Sequence, residues 1–223
     1  MNPVRTTIAL LLFGALFYHD ILAGQGQSPL SLQQLEQGID HFIAGQSQPA
    51  DLPFDISGYS YHWRVDPGGG RIVVVMSCNL NGYLLLFSHD GLLVSTVATG
   101  EIASIQVCDL DQDGVGEVIL DEVKGRGTGL LMREFHLYRL SRTGVEDLWH
   151  GTSFSRMFHD EGADKSYSSY ERGSLRYSPG GSDGPRAHLV HRVSSDDGKG
   201  RRKVREVSLE LRGGKVVVVA SSP

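Results

Sequence analysis

Four carboxylates fall within one nine-residue stretch, Asp109-Leu110-Asp111-Gln112-Asp113-Gly114-Val115-Gly116-Glu117, at positions 1, 3, 5 and 9, with glycine at position 6. Alternating ligand and spacer is how a short loop wraps a hard cation in oxygen, and calcium takes six to eight oxygen ligands at about 2.3–2.6 Å. On this reading Asp109, Asp111 and Asp113 each offer a side-chain oxygen, Val115 offers its carbonyl, and Glu117 closes the shell directly or through water. Gly114 supplies the positive φ that a tight reversal needs. Without a cation the arrangement is unfavourable, because like charges about 5 Å apart repel by roughly 1 kcal/mol in water and several-fold more at a partly buried site. The plainer alternative is a solvated acidic turn, since Asp and Gly are common in turns. Three Asp at i, i+2 and i+4 followed by Gly is the rarer pattern.

The elements that must hold this loop are strands. A helix–loop–helix calcium site asks for a bidentate Glu at position 12, and position 12 here is Leu120. Residues 105–108 before the loop and 117–123 after it are β-branched and apolar, which reads as strand on both sides. With those residues in view, residues 108–120 resemble an FG-GAP/VCBS-type repeat of integrin-like β-propellers, in which such a loop binds calcium between two strands of a blade. The matching positions are Asp109, Asp111, Asp113 and Glu117. Gln112 stands where the family has Gly, which implies a stiffer or more weakly binding loop. Gly127-Thr128-Gly129 and the strand at 134–138 are similar to a loop and strand that follow this motif in many exported bacterial proteins. The resemblance covers roughly residues 72–149 and implies blade-like sheets and a structural Ca2+.

Composition sets the bounds. The chain has 223 residues, enough for one domain or one domain with a short appendage. Its 28 glycines favour a turn-rich β protein, and its net charge of −5 gives no reason to expect a nucleic-acid partner. Residues 1–24 read as a signal peptide, with Arg5 in the positive region, an apolar run at 6–17 and Leu22-Ala23-Gly24 as an imperfect cleavage site. The apolar run is short for a membrane span of about 20 residues, though an uncleaved anchor stays open. Export, periplasmic or secreted, suits weak extracellular calcium sites of about 10⁻⁴–10⁻³ M. The two cysteines, Cys78 and Cys108, either pair in an oxidising compartment or serve as two buried thiols.

Residues 25–70 divide into a short N-terminal helix and an irregular segment. Leu32, Leu35, Ile39, Phe42 and Ile43 share one helical face within 31–44, Ser31 with Gln34 forms a capping box, and Gly45 ends the helix. Residues 71–151 read as a blade-like repeat region, with strands expected at 71–78, 82–88, 92–98, 102–108, 116–123, 131–140 and 145–151. Turns are expected at 88–91 and 141–144. Cys78-Asn79-Leu80-Asn81 aligns with Cys108-Asp109-Leu110-Asp111 as a degenerate copy that lacks carboxylates. Residues 152–223 form a C-terminal β region. It begins with a long loop or lid at 153–173 and continues with strands at 174–178, 186–194, 201–211 and 215–220.

Other chemical groups are weaker signals. The basic run Lys199, Arg201, Arg202, Lys203 and Arg205 reads as a solvated hairpin edge. The stretch 124–129 lacks the Gly-Lys-Ser/Thr ending of a phosphate loop. His150, His159, Asp160 and Glu161 have no helical i, i+4 pair of the zinc-hydrolase kind. His188 and His191 point to opposite faces of one strand, and so do Asp121 and Glu122.

The fold class expected is mainly β, with antiparallel blade-like sheets in a partial or degenerate propeller, or a sandwich as the alternative, and a short N-terminal helix. The function expected is an exported calcium-binding scaffold or binding module for a protein or glycan partner outside the cytoplasm. The alternatives are a hydrolase of an envelope polymer with the 153–173 loop over its cleft, and a module tethered by an uncleaved anchor.

Overall fold

The computed structural model describes Gln37 and residues 60–66, 70–78, 81–160, 166–179 and 186–222. Twelve strands follow one another: β1 (Ser60–Val65), β2 (Ile72–Cys78), β3 (Asn81–Phe87), β4 (Leu93–Thr99), β5 (Glu101–Cys108), β6 (Glu117–Gly127), β7 (Leu130–Ser141), β8 (Gly144–Asp160), β9 (Ser166–Pro179), β10 (Arg186–Asp196), β11 (Arg202–Arg212) and β12 (Lys215–Ser222). They make a four-stranded sheet, β1-β2-β3-β4, and an eight-stranded sheet, β5 to β12. Every pairing is antiparallel and joins sequence neighbours.

Burial explains the layering. Val73 and Val75 of β2 and Leu84 and Leu86 of β3 share one face, and they pack against Val118 and Leu120 of β6 and Tyr138 and Leu140 of β7. The opposite face of β7 carries Leu137. It enters a second core with Leu110, Ala187, Leu189, Leu209 and Leu211, flanked by Ile119, Trp149 and Leu175. The large sheet therefore turns back on itself, so that β6 and β7 are covered by the small sheet on one side and by β10 and β11 on the other. The turn is built into β8. That strand pairs with β7 from Gly144 to Met157 but with β9 only from Phe154 to Asp160. Gly173 sits at the bend, where a Cβ would lie 1.8 Å from the Thr152 carbonyl oxygen.

Two close approaches fix the small sheet to the large one. A Cβ on Gly82 would lie 2.4 Å from the Gly100 oxygen, and a Cβ on Gly100 would lie 1.9 Å from the Val123 oxygen. The N–H of Gly100 donates to Glu122 Oε2 at 2.5 Å, and the N–H of Ile102 donates to Ser77 Oγ at 2.7 Å. At the other end Arg71 binds Asp66 Oδ2 through Nε (2.9 Å) and Nη2 (2.6 Å), and donates to the carbonyls of Leu140 (2.8 Å) and Ser141 (2.6 Å).

Several expectations change here. The long loop at 153–173 is instead the facing parts of β8 and β9, with 161–165 outside the described residues. Its residues are polar because β9 is only half covered, so the apolar alternation that marks a strand is thin. β8 also runs continuously across residue 151, where the sequence suggests a boundary. β5 to β12 form one eight-stranded meander, and β1 to β4 form a separate four-stranded one. The chain is mainly β with antiparallel sheets, as expected, and among the described residues there is neither a closed barrel nor a propeller. The helix expected at 31–44 lies, save for Gln37, outside the described residues, as does the signal segment 1–24. Cys108 is a free thiol, pushed up to about 11 by burial. The basic run does occupy a hairpin edge, since β12 pairs with β11 only from Glu206 onward.

Glu122 is fully buried. Burial raises its carboxyl, but His136, Lys124 and the Gly100 N–H outweigh that and hold it down at about 2. A depressed folded value means that its contribution is present above the ordinary 4.5 and is lost as pH falls from there towards 2. Glu122→Gln should cost about 1–3 kcal/mol at neutral pH and show a flatter fall in Tm between pH 5 and 3 than the parent chain, as measured by thermal melts across that range.

Candidate metal centre

The acidic loop joins β5 to β6, as the flanking strands require. It is anchored in both cores. Leu110, the first spacer, is buried in the second core. Gly116, at the far end, lies where a Cβ would be 2.1 Å from Asp66 Oδ1, and its carbonyl accepts from the Leu140 N–H at 2.9 Å. Packing therefore sets the loop's ends independently of any ion.

Within the loop, Asp109 Oδ1 accepts from the Asp113 N–H (3.1 Å) and Oδ2 from the Gly114 N–H (3.0 Å). Asp113 Oδ1 accepts from the Val115 N–H at 2.9 Å. Glu117 Oε2 accepts from the Leu110 N–H at 2.9 Å, closing the loop across its mouth. These bonds wind the backbone so that one oxygen each from Asp109, Asp111 and Glu117 lie within 4.8 Å of one another. Three of the four expected carboxylates thus converge, and Asp113 stands outside the trio. Gly114 has φ 84°, as the tight reversal requires, and Gln112 has φ 60°, a left-handed conformation that no other described non-glycine residue adopts.

The reason for Asp113's position is Arg139, which the sequence reading did not find. Its Nη2 binds Asp113 Oδ2, and its Nη1 donates to Glu117 Oε1 at 2.8 Å. Nη1 stays 3.9 Å from Asp111 Oδ2. Arg139 reaches the loop because Glu117 and Arg139 are register partners across β6 and β7. Alternation along β7 held the only clue, a charged residue between Tyr138 and Leu140.

One guanidinium serves a loop of four carboxylates and reaches three of them, and the electrostatics show the shortfall. Burial, followed by the nearby Asp111, pushes Glu117 up to about 8 despite the Leu110 N–H and Arg139. Burial and then Asp113 raise Asp111, with Arg139 opposing. Asp111 is 1% exposed, and neither of its carboxylate oxygens has a hydrogen bond. A buried carboxylate left unpaired costs several kcal/mol if ionised. The donor set of hard oxygens at alternate positions suits Ca2+ rather than a softer ion.

The remaining groups distribute as follows. Asp121 pairs with Arg133 and Glu122 with His136, on opposite faces as expected. His191 is buried against Trp149 and bonds the Thr152 carbonyl at 2.8 Å, whereas His188 is exposed. His159 stacks on Tyr167 and meets Ser169 Oγ at 2.9 Å, well away from His150. Glu161 lies outside the described residues. Within the expected loop at 153–173, residues 153–160 and 166–173 belong to strands β8 and β9. Among the described residues no helix is long and apolar enough to cross a membrane. The chain matches no family model, no curated protein and no solved structure.

A left-handed φ costs a non-glycine residue roughly 1–2 kcal/mol, against about 0.5–1 kcal/mol of extra chain entropy for glycine. Gln112→Gly should therefore stabilise the protein by up to about 1 kcal/mol in urea unfolding.

Proposed function

We propose that the chain is a calcium-stabilised β module that serves as a binding or scaffold element for a protein or glycan partner outside the cytoplasm. The observation that carries this reading is Asp111, a buried carboxylate with no hydrogen bond beside Asp109 and Glu117. Ca2+ would be held by Asp109, Asp111 and Glu117, with the Val115 carbonyl and Asp113 joining as Arg139 yields. The resemblance of 108–120 to FG-GAP/VCBS-type calcium loops supports the same assignment, and the apolar run at 6–17 supports export. The ion's role is structural. It neutralises the charge that Arg139 leaves over and ties β5 to β6 next to both cores.

A ligand present at a hundred-fold above Kd stabilises by about 2.7 kcal/mol, which in a domain of this size shifts Tm by roughly 5–10 °C. Excess chelator should lower Tm by that amount, and Asp111→Asn should remove the calcium dependence. A melting curve that chelator leaves unmoved would sink the reading.

Arg139 and calcium compete for Glu117 and Asp113. Arg139→Gln should therefore lower the stability of the calcium-free protein while tightening calcium binding about tenfold in a calorimetric titration. Weaker binding in that variant would make Arg139 a support of the site and not a competitor.

A further inference from the structure

A second group of metal-ligating side chains lies on the other face of β7, away from the acidic loop. One atom each of His136, Asp147 and His150 falls within 4.8 Å of the others. His136 and His150 are direct register partners on β7 and β8, and their rings stack with centroids 5.5 Å apart. Asp147 joins them through a bulge. Leu137 pairs with Trp149, yet Tyr138 pairs with Asp147, so Leu148 is the extra residue. In a regular ladder Leu148 would oppose Tyr138 and Asp147 would point to the other face. A bulge re-aims the side chains beyond it, and here it puts Asp147 on the histidine face.

The orientation of His136 is set from behind. Its Nε2 lies 2.9 Å from Glu122 Oε1, and the fully buried Glu122 is itself held by Lys124 Nζ at 2.5 Å and by the Gly100 N–H. Tyr138 stacks on the ring at 5.5 Å. Neither ring nitrogen has a hydrogen bond within the protein; Nε2 faces the Glu122 carboxylate, and the buried Nδ1 faces Asp147, with Oδ2 3.6 Å away. The His136 side chain is only 7% exposed, so water does not satisfy it. A carboxylate on one imidazole nitrogen that leaves the other free is the usual outer support of a metal-ligating histidine. Glu134 lies 3.6 Å from Nε2, so carboxylates outnumber the one ammonium here.

We propose that His136 Nδ1, His150 and Asp147 form a binding site for a divalent transition ion of the zinc class. Two imidazoles and a carboxylate are borderline donors that select such an ion over calcium. Zn2+ takes nitrogen at about 2.0–2.1 Å and carboxylate oxygen at about 2.0–2.2 Å. The three atoms lie within 4.8 Å of one another, and the side chains of Asp147 and His150 are exposed, so modest side-chain rotation would bring them onto one ion. Binding displaces any proton on Nδ1 to solvent and leaves the fourth position to water. The site is independent of the calcium loop, which lies on the opposite face of β7.

The test is a titration of the calcium-saturated full chain with zinc chloride, followed by calorimetry, and with cobalt(II), followed by its visible absorption bands. One equivalent should bind. His150→Ala and Asp147→Asn should each weaken binding at least tenfold, and Asp111→Asn should leave it unchanged. No binding, or binding that either of the first two variants leaves unchanged, overturns the site. Zinc should also shield His150 of the unmutated chain from diethyl pyrocarbonate, and equal modification with and without zinc counts against the proposal.

Discussion

The parts of β6 and β7 around Glu117–Val123 and His136–Leu140 are largely covered on both faces, so the charges buried there need partners inside the protein. An unpaired buried charge is among the most destabilising features a fold can carry. Among the charged or titratable groups of the two strands are Glu117, Asp121, Glu122, Arg133, His136 and Arg139. Most are matched across the ladder, Asp121 with Arg133 and Glu117 with Arg139. Glu122 is matched three ways, to His136, Lys124 and a backbone N–H of the next layer. Both carboxylate oxygens of Asp111 and Nδ1 of His136 are among the buried atoms left without a hydrogen bond, and these are the places where the two proposed cations would sit. They lie on opposite sides of β7 and call for ions of different hardness.

The acidic loop owes its geometry to packing before any ion arrives. Leu110 is committed to one core, and Gly116 is pressed against the Asp66–Arg71 pair beside the other. Both ends are fixed and the turn bonds wind the middle, so little ordering is left for binding to supply. Such preorganisation reduces the entropic cost of capturing a ligand. Arg139 works against it, because a guanidinium already rests on two of the carboxylates.

Much of the architecture was legible in the sequence because burial writes itself as period or run. The apolar stretches of β2 and β3, the alternation in β10 and the glycine turns at 91 and 114 mark their elements directly. The β8–β9 hairpin was not legible, since β9 is half exposed along its length and its Ser, Tyr and Arg residues carry no apolar period. The trio of Asp109, Asp111 and Glu117 could be read from spacing, because one loop contains it. Arg139 could not, being set beside Glu117 only by the register of β6 and β7. The His136 group was hidden for the same reason and for one more. The i, i+3 spacing of Asp147 and His150 argues against a shared face unless the bulge at Leu148 is known.

The contact of Gly82, Gly100 and Val123 also has a mechanical meaning. Packed layers commonly relax by sliding over one another by an ångström or so. Here the backbones meet with no side chains between them, and the Glu122 carboxylate bolts the junction. The two sheets are left with no easy shear direction at that end. The junction therefore holds the start of β5, and with it the strand that leads into the acidic loop, at a fixed distance from the small sheet.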